Sequence, residues 1–350
     1  MAGVIRETYM NRSRSHQGIL PPYILLHLSN AFPDDPSYLW TLDETRKMHL
    51  KGLRNVVRYR LSNGKSEVQI YDCKNSTRLP GTKARFEGEK AVADNIVNIA
   101  FDYHSAVRDF LKKEFGVDSY DGKGGNLIGS VHYGVRYNNA FNNGRQMAYG
   151  DGDGRVFKTF VLLDVAGHEF FHGVTGQFSG LEYYGESGAL NESISDVFGV
   201  MLRQWVNNLT VDKDSWLVGP GLFADPKQRA LRDMLNPGTA YNDPNIGKDP
   251  QPDHYDRRYK GSADNAGVHI NSGIPNKAFA TFAVSLGGYA WKSAAGKIWN
   301  EANIGKRRVK SDCDFHTFAQ TTVDICKADY DQATTDKLQA AWALVGIKTK

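Results

Sequence analysis

Cysteine is scarce in this chain: three among 350 residues, at positions 73, 313 and 326, with no CxxC pair. Neither a disulfide framework nor a cysteine zinc site is indicated. Cys313 and Cys326 can pair only if two helices bring them together; otherwise each is a small buried hydrophobe. Long apolar runs are also missing. No stretch approaches the ~18 residues of a membrane-spanning helix. The opening MAGVIRETYMNRSRSHQGIL holds basic side chains but no apolar core, so no secretory signal is expected. The expected location is therefore the cytoplasm, or outside the cell by a route that needs no signal. Neither charge sign dominates: 43 Lys and Arg against 39 Asp and Glu leave +4. No basic run is dense enough to indicate nucleic acid or a membrane surface as partner.

What is present is the composition of a soluble globular protein, 41% hydrophobic and 23% charged. The length suits two lobes with ordinary cores. Residues 1–50 stand apart: polar at first, then Ile19, Leu20, Pro21, Pro22, Tyr23, Ile24, Leu25 and Leu26, then Pro33 and Pro36. Paired prolines disfavour regular elements, so an extended segment is expected, with its apolar cluster docked on something. From about residue 54 the pattern is β, with a hairpin expected where Val56–Leu61 and Val68–Tyr71 flank Asn63-Gly64. A helix follows, marked by Val92, Ile96, Ile99, Tyr103, Val107 and Phe110 or Leu111. Strand-like and loop sequence fills 127–160. Within it Gly150-Asp151-Gly152-Asp153-Gly154 reads as a tight turn or a cation loop, but lacks the spaced carboxylates of a calcium hand. After residue 161 the pattern turns helical, over about 162–178, 187–206, 272–287, 312–328 and 331–345. Strands first and helices later predict an α+β fold with a helical second lobe.

The chemistry centres on His168-Glu169-Phe170-Phe171-His172. Histidines at i and i+4 share one helical face, so both imidazoles can reach one ion, and Glu169 falls beside the ion rather than on it. A helix with two surface histidines is the plain alternative. Asn191-Glu192-Ser193-Ile194-Ser195-Asp196, twenty residues after His172, decides against it. Glu192 completes a two-histidine, one-carboxylate set with a fourth position left open, the arrangement of a catalytic zinc site. Asp196, one turn further on, is placed to accept a ring N–H from His168, and Asn191 stands beside the same ligands.

With these residues in view, the sequence from about residue 54 to the end resembles the thermolysin family of zinc metalloendopeptidases. The motifs that carry the likeness are Tyr137-Asn138-Asn139-Ala140-Phe141, the HEFFH segment, Glu186-Ser187-Gly188-Ala189-Leu190-Asn191-Glu192 with Asp196, and Asp264-Asn265-Ala266-Gly267-Val268-His269. The resemblance implies a β-rich lobe over 51–180, a helical lobe over 181–350, and one zinc ion in the cleft between them. It implies that Glu169 is the general base, that His269 with its partner Asp264 steadies the oxyanion, and that Tyr183 assists. Tyr184 is expected to pack. Asn139 and the Ala140 backbone correspond to a strand edge that pairs with an extended peptide. Arg232 corresponds to an arginine that grips substrate carbonyls. Phe157, Val165, Val218 and Leu231 correspond to an apolar pocket after the scissile bond, which implies Leu, Ile, Val or Phe there on protein and peptide substrates.

Two departures from the family stand out. Asp164 keeps one ligand of a double calcium site, but Arg203 and Pro220 fall where other ligands belong, and Arg85-Phe86-Glu87-Gly88-Glu89 replaces an aspartate-rich loop. Structural calcium is therefore expected to be absent or reduced. The first fifty residues resemble the short pro-segment of protealysin-type precursors. The expectation is a segment lodged in the chain's own cleft, removed by self-cleavage of about 40–55 residues near Met48, Leu50 or Leu53. A monomer is expected. A catalytically silent binding protein on this fold and another HExxH hydrolase, such as an aminopeptidase, are the competing classes.

Overall fold

The computed structural model describes residues 18–52 and 66–350. The first strand and the turn of the expected hairpin, 56–65, lie outside those residues. From Pro22 onward the N-terminal segment is helical and not extended. It forms α1 (Pro22–Ala31) and α2 (Ser37–Gly52). The prolines start these helices instead of breaking them: Pro22 occupies the first turn of α1, and the Pro36 carbonyl accepts from Trp40 N at 2.9 Å in the first turn of α2. A proline there sacrifices only an N–H that has no helical partner, and its φ is already set. Helix α2 runs on through the stretch after Thr41.

Docking of the segment is extensive. Ile19, Leu20, Ile24, Leu25, Leu28, Tyr38 and Leu42 are buried in the main core, while Leu26 is 43% exposed. Each large apolar side chain removed from water contributes ~1.5–3 kcal/mol, so this segment is a working part of the core.

The first lobe is built on a five-stranded mixed sheet of β1 (Val68–Asp72), β2 (Thr82–Phe86), β3 (Leu127–Val131), β4 (Ala140–Asn142) and β5 (Met147–Tyr149). Its order is β2-β1-β3-β5-β4, with β1, β3 and β5 parallel and both edge strands antiparallel to their neighbours. Edge strand β4 therefore has an open side. Helix α3 (Asn95–Phe115) covers the sheet, capped by Asp94 at its start and by left-handed Gly116 at its end. Val92 precedes it and is 36% exposed. The glycine–aspartate run is a turn: Asp153 Oδ1 accepts the backbone N–H groups of Arg155, Val156 and Phe157 at 2.9, 2.8 and 3.0 Å.

Two long helices carry the centre of the molecule, α4 (Leu163–Gln177) and α5 (Gly185–Asn207). Glycine lets them approach closely. A Cβ added at Gly199 would stand 2.5 Å from the Asp164 carbonyl oxygen, and one at Gly167 would stand 2.9 Å from the Gly199 Cα. Phe171 and Phe198 stack beside this crossing at 4.1 Å. The helical lobe continues with α6 (Ala263–Asn271), α7 (Gly273–Leu286), α8 (Ala294–Asn303), α9 (Phe315–Asp329) and α10 (Gln332–Leu344). Helices α6 and α8 were not expected from the sequence pattern. Short ladders β6 (Leu217–Val218) with β7 (Arg232–Asp233) and β8 (Asn242–Asp243) with β9 (Gly247–Lys248) complete the fold. All three cysteines are buried free thiols. No described helix is long and apolar enough to cross a membrane.

Candidate metal centre and peptide cleft

The α4–α5 contact brings His168, His172 and Glu192 together, fully buried, with one ligand atom from each within 4.8 Å of the others. Their hydrogen bonds fix what these atoms are. His168 Nδ1 meets Asp196 Oδ1 at 2.8 Å, and His172 Nδ1 meets Asn191 Oδ1 at 2.8 Å. The Asn191 amide cannot be reversed, because its Nδ2 donates to the Leu181 carbonyl at 3.0 Å. Both acceptors demand a proton on Nδ1, so each Nε2 presents a lone pair.

Those two Nε2 atoms face each other at 2.9 Å, with Glu192 oxygens 3.3–3.5 Å away. Converging lone pairs and a buried carboxylate repel one another unless a cation lies between them. Among the described residues, Glu192 Oε2 and Glu169 Oε2 find no hydrogen-bond partner although both are buried. Burial holds the His168 pKa down to about 4, which keeps it a neutral ligand. Burial opposes ionisation of Glu192, but the nearby cations, the His269 charge foremost, outweigh it and hold its carboxyl well below the usual range. Two neutral imidazoles and one carboxylate with these ring partners fit zinc.

Around this set lie the other residues singled out in the sequence. His269 Nδ1 lies 2.6 Å from Asp264 Oδ1, and Tyr183 Oη contacts both Glu192 and His269 Nε2, the latter at 3.3 Å. Asp264–Gly267 run through four consecutive left-handed conformations, φ 55, 50, 65 and 83°, and this turn aims Asp264 at the His269 ring. Arg232 is buried and pairs twice with Asp196, at 2.7 Å each. Phe157, Val165, Val218 and Leu231 are buried in the same contiguous cluster as Ile19. Tyr184, in contrast, is 44% exposed and packs little.

Residues 41–176 match the thermolysin metallopeptidase catalytic domain, and 179–347 match the thermolysin metallopeptidase alpha-helical domain. The chain belongs to the thermolysin metallopeptidase family. It is 42% identical over 97% of its length to protease PrtS of Photorhabdus sp. (strain Az29), of which it covers 94%. It is 39% identical, again over 97%, to an extracellular metalloprotease of Pectobacterium carotovorum subsp. carotovorum, of which it covers 99%. Among solved structures, the precursor of protealysin, a metalloproteinase from Serratia proteamaculans, superposes with a TM-score of 0.86 at 43% identity. That match covers 94% of this chain and 99% of the other. This thermolysin-family chain is accordingly a metalloprotease, a two-lobe α+β hydrolase whose family implies zinc and protein substrates.

A stretch of the thermolysin-family chain's own backbone crosses the centre. Ile19 N donates to Glu169 Oε1 at 2.9 Å and to the Ala140 carbonyl at 3.1 Å. Leu20 N donates to Asn139 Oδ1 at 2.9 Å, and Arg232 Nη1 donates to the Ile19 carbonyl at 3.2 Å. The Gly18 carbonyl accepts from His269 Nε2 at 3.0 Å. A carbonyl only accepts, and Asp264 takes the other ring proton, so His269 is an imidazolium. Burial alone would lower its pKa, but Glu192 and Asp264 together raise it to about 9. Burial pushes the Glu169 carboxyl well above the usual range, and the Glu192 charge adds to this.

Two supporting residues escaped the sequence reading. Asn142 Nδ2 holds the Glu169 carbonyl at 2.7 Å, and Asn276 Nδ2 holds Asp196 Oδ2 at 2.8 Å. Asn142 was findable, since it lies two residues past Ala140 on the same face of a strand. Asn276 carries no local signal, being 80 residues from its partner.

Proposed function

We propose that this metalloprotease is an endopeptidase made as a self-blocked precursor, in which residues 1–50 form the pro-segment and the lobes run over 51–180 and 181–350. His168, His172 and Glu192 would hold zinc, which would supply Lewis acidity at the scissile carbonyl and lower the pKa of the attacking water. Glu169 takes a proton from that water and returns it to the leaving nitrogen; its raised pKa suits a group that must hold the proton in between. The His269 imidazolium, oriented by Asp264, donates to the carbonyl oxygen together with Tyr183, worth ~2–4 kcal/mol per donor if each acts as other oxyanion donors do. Asn139 and the Ala140 carbonyl at the β4 edge align the substrate backbone, and Arg232, held by Asp196, grips a carbonyl beyond the cut.

The residue after the scissile bond enters the pocket of Phe157, Val165, Val218 and Leu231, which selects Leu, Ile, Val or Phe. In place of structural calcium at Asp164, Arg203 supplies the positive charge: its guanidinium bonds Asp164, both oxygens of Asp214 at 3.1 Å, and the Leu217 carbonyl. The working form is a monomer. Final release of the segment, near Met48, Leu50 or Leu53, requires the end of α2 to unwind first, because a cleft that reads strands cannot seat a helix.

The observation that carries this reading is one peptide unit whose carbonyl meets His269 and whose N–H meets Glu169 above a cation-demanding ligand set. The test is incubation with casein, with and without a zinc chelator, followed by fragment sequencing. Internal cuts before Leu, Ile, Val or Phe that stop on chelation are expected; cuts limited to the amino-terminal residue would refute it.

A further inference from the structure

The polarity of the cleft segment matters, because a blocking strand can run either way. Run backwards, it would offer N–H groups to His269, itself a donor, and the bond over the centre would be out of reach. Here the direction is that of a substrate. The Gly18 carbonyl faces the His269 donor at 3.0 Å, and the Ile19 nitrogen faces the Glu169 carboxylate at 2.9 Å. Beyond that bond, the Ile19 carbonyl is held by Arg232, and Leu20 is held by Asn139 through both its N–H and, at 3.5 Å, its carbonyl. Ile19 is fully buried and belongs to the same core cluster as the apolar residues named for the pocket.

We infer that Gly18–Ile19 is the first bond this chain cuts in itself, and that the cut does not free the cleft. The inference rests on the peptidase reading above. Water adds to the Gly18 carbonyl carbon, the C–N bond breaks, the oxygen stays as the Gly18 carboxylate, and the nitrogen leaves as the protonated Ile19 amine. No co-reactant besides water is needed.

The new Ile19 ammonium is born between the Glu169 carboxylate and the Ala140 carbonyl, both already within 3.1 Å. A charged amine binds these acceptors better than the amide did. Leu20, Ile24, Leu25 and Leu28 remain buried and hold the fragment in place. The clipped chain is thus a product complex with its own new end in the pocket, still closed to other substrates.

Gly18 is also the residue the seat requires. Its φ is +84°, and a Cβ there would lie 2.1 Å from the Ala140 carbonyl oxygen. A side chain at this position must lift the peptide off β4.

The test follows zinc-loaded, full-length protein by intact mass and amino-terminal sequencing, with casein hydrolysis read in the same samples. A chain beginning at Ile19 should accumulate first, at a rate independent of protein concentration, before casein hydrolysis rises. Gly18→Val should slow that cut at least tenfold, with an unchanged melting curve confirming the fold. In metal-free wild type, where nothing is cut, the Ile19 and Leu20 amide protons should exchange at least a hundredfold slower than in a free peptide. A first new terminus elsewhere, a concentration-dependent rate, or unprotected Ile19 and Leu20 amides overturns the inference while leaving the peptidase reading intact. Failure to cut either itself or casein with zinc bound overturns both.

Discussion

Gly199→Ala adds one methyl group where α5 crosses α4, and its effect can be worked from two distances. The new Cβ would stand 2.5 Å from the Asp164 carbonyl oxygen and 3.2 Å from His168 N, both backbone atoms that cannot swing aside. Reaching ordinary contact near 3.4 Å requires the helices to part by about 0.9 Å. Overpacking of this kind costs ~1–3 kcal/mol, or roughly 1–4 °C in melting temperature for a chain this long. The metal centre should suffer more than the fold, because His168 and His172 ride on α4 and Glu192 on α5. Ligand distances tolerate only ~0.2 Å, so zinc affinity should fall at least tenfold. Thermal denaturation and competition with a chromogenic chelator measure the two effects. Gly176→Ala on α4 is the control, since nothing lies within 4 Å of its added Cβ. If Gly199→Ala kept wild-type zinc affinity and melted within a degree of wild type, close helix approach would not be what assembles the ligands.

Three further outcomes are expected. Glu169→Gln should retain zinc while losing ~10²–10⁴ in peptide hydrolysis; more than a tenth of wild-type activity would contradict its role. Arg203→Leu leaves Asp164 and Asp214 buried without their cation, a loss of ~3–5 kcal/mol, and millimolar calcium should rescue the variant while moving wild type little; a rise above about 10 °C in wild type on adding calcium would refute the replacement. His132, hydrogen-bonded to Asp151 and then Asp94, has its pKa raised to about 9. Its stabilisation is complete below about pH 6.5 and fades as pH rises through 9, amounting to about 1 kcal/mol because both carboxylates are more than a third exposed. His132→Gln should flatten the fall in melting temperature between pH 7 and 9; an unchanged slope would show the group is uncoupled from folding.

How much of this was legible in the sequence depended on range. The ligand face of α4 is local geometry, two histidines one turn apart, and it reads directly. Helices α9 and α10 announce themselves through Asp314 and Asp331, whose side chains accept from Thr317 N and Thr334 N at 2.7 and 2.8 Å. The left-handed run Asp264–Gly267 has no such signature, because three of its four residues are not glycine and are held there by tertiary contacts. Arg232 and Asp196 are 36 residues apart, and nothing in either neighbourhood proposes their pairing. The amino-terminal helices were misread for a local reason: Pro21-Pro22 ends a helix when it comes after one and begins a helix when it precedes one, and composition does not say which.

The seat of Ile19 also defines a pharmacophore. Ile19-Leu20-Pro21-Pro22 presents its backbone to Asn139 and Arg232, and the two prolines stiffen the chain beyond Leu20. A short peptide of this sequence is thereby largely preorganised, so little ordering entropy opposes its binding. Exchanging its amino end for a metal-chelating headgroup, such as a hydroxamate, would place that group where the Gly18 carbonyl now lies. The protein thus carries in residues 19–22 a blueprint for inhibitors of its own cleft.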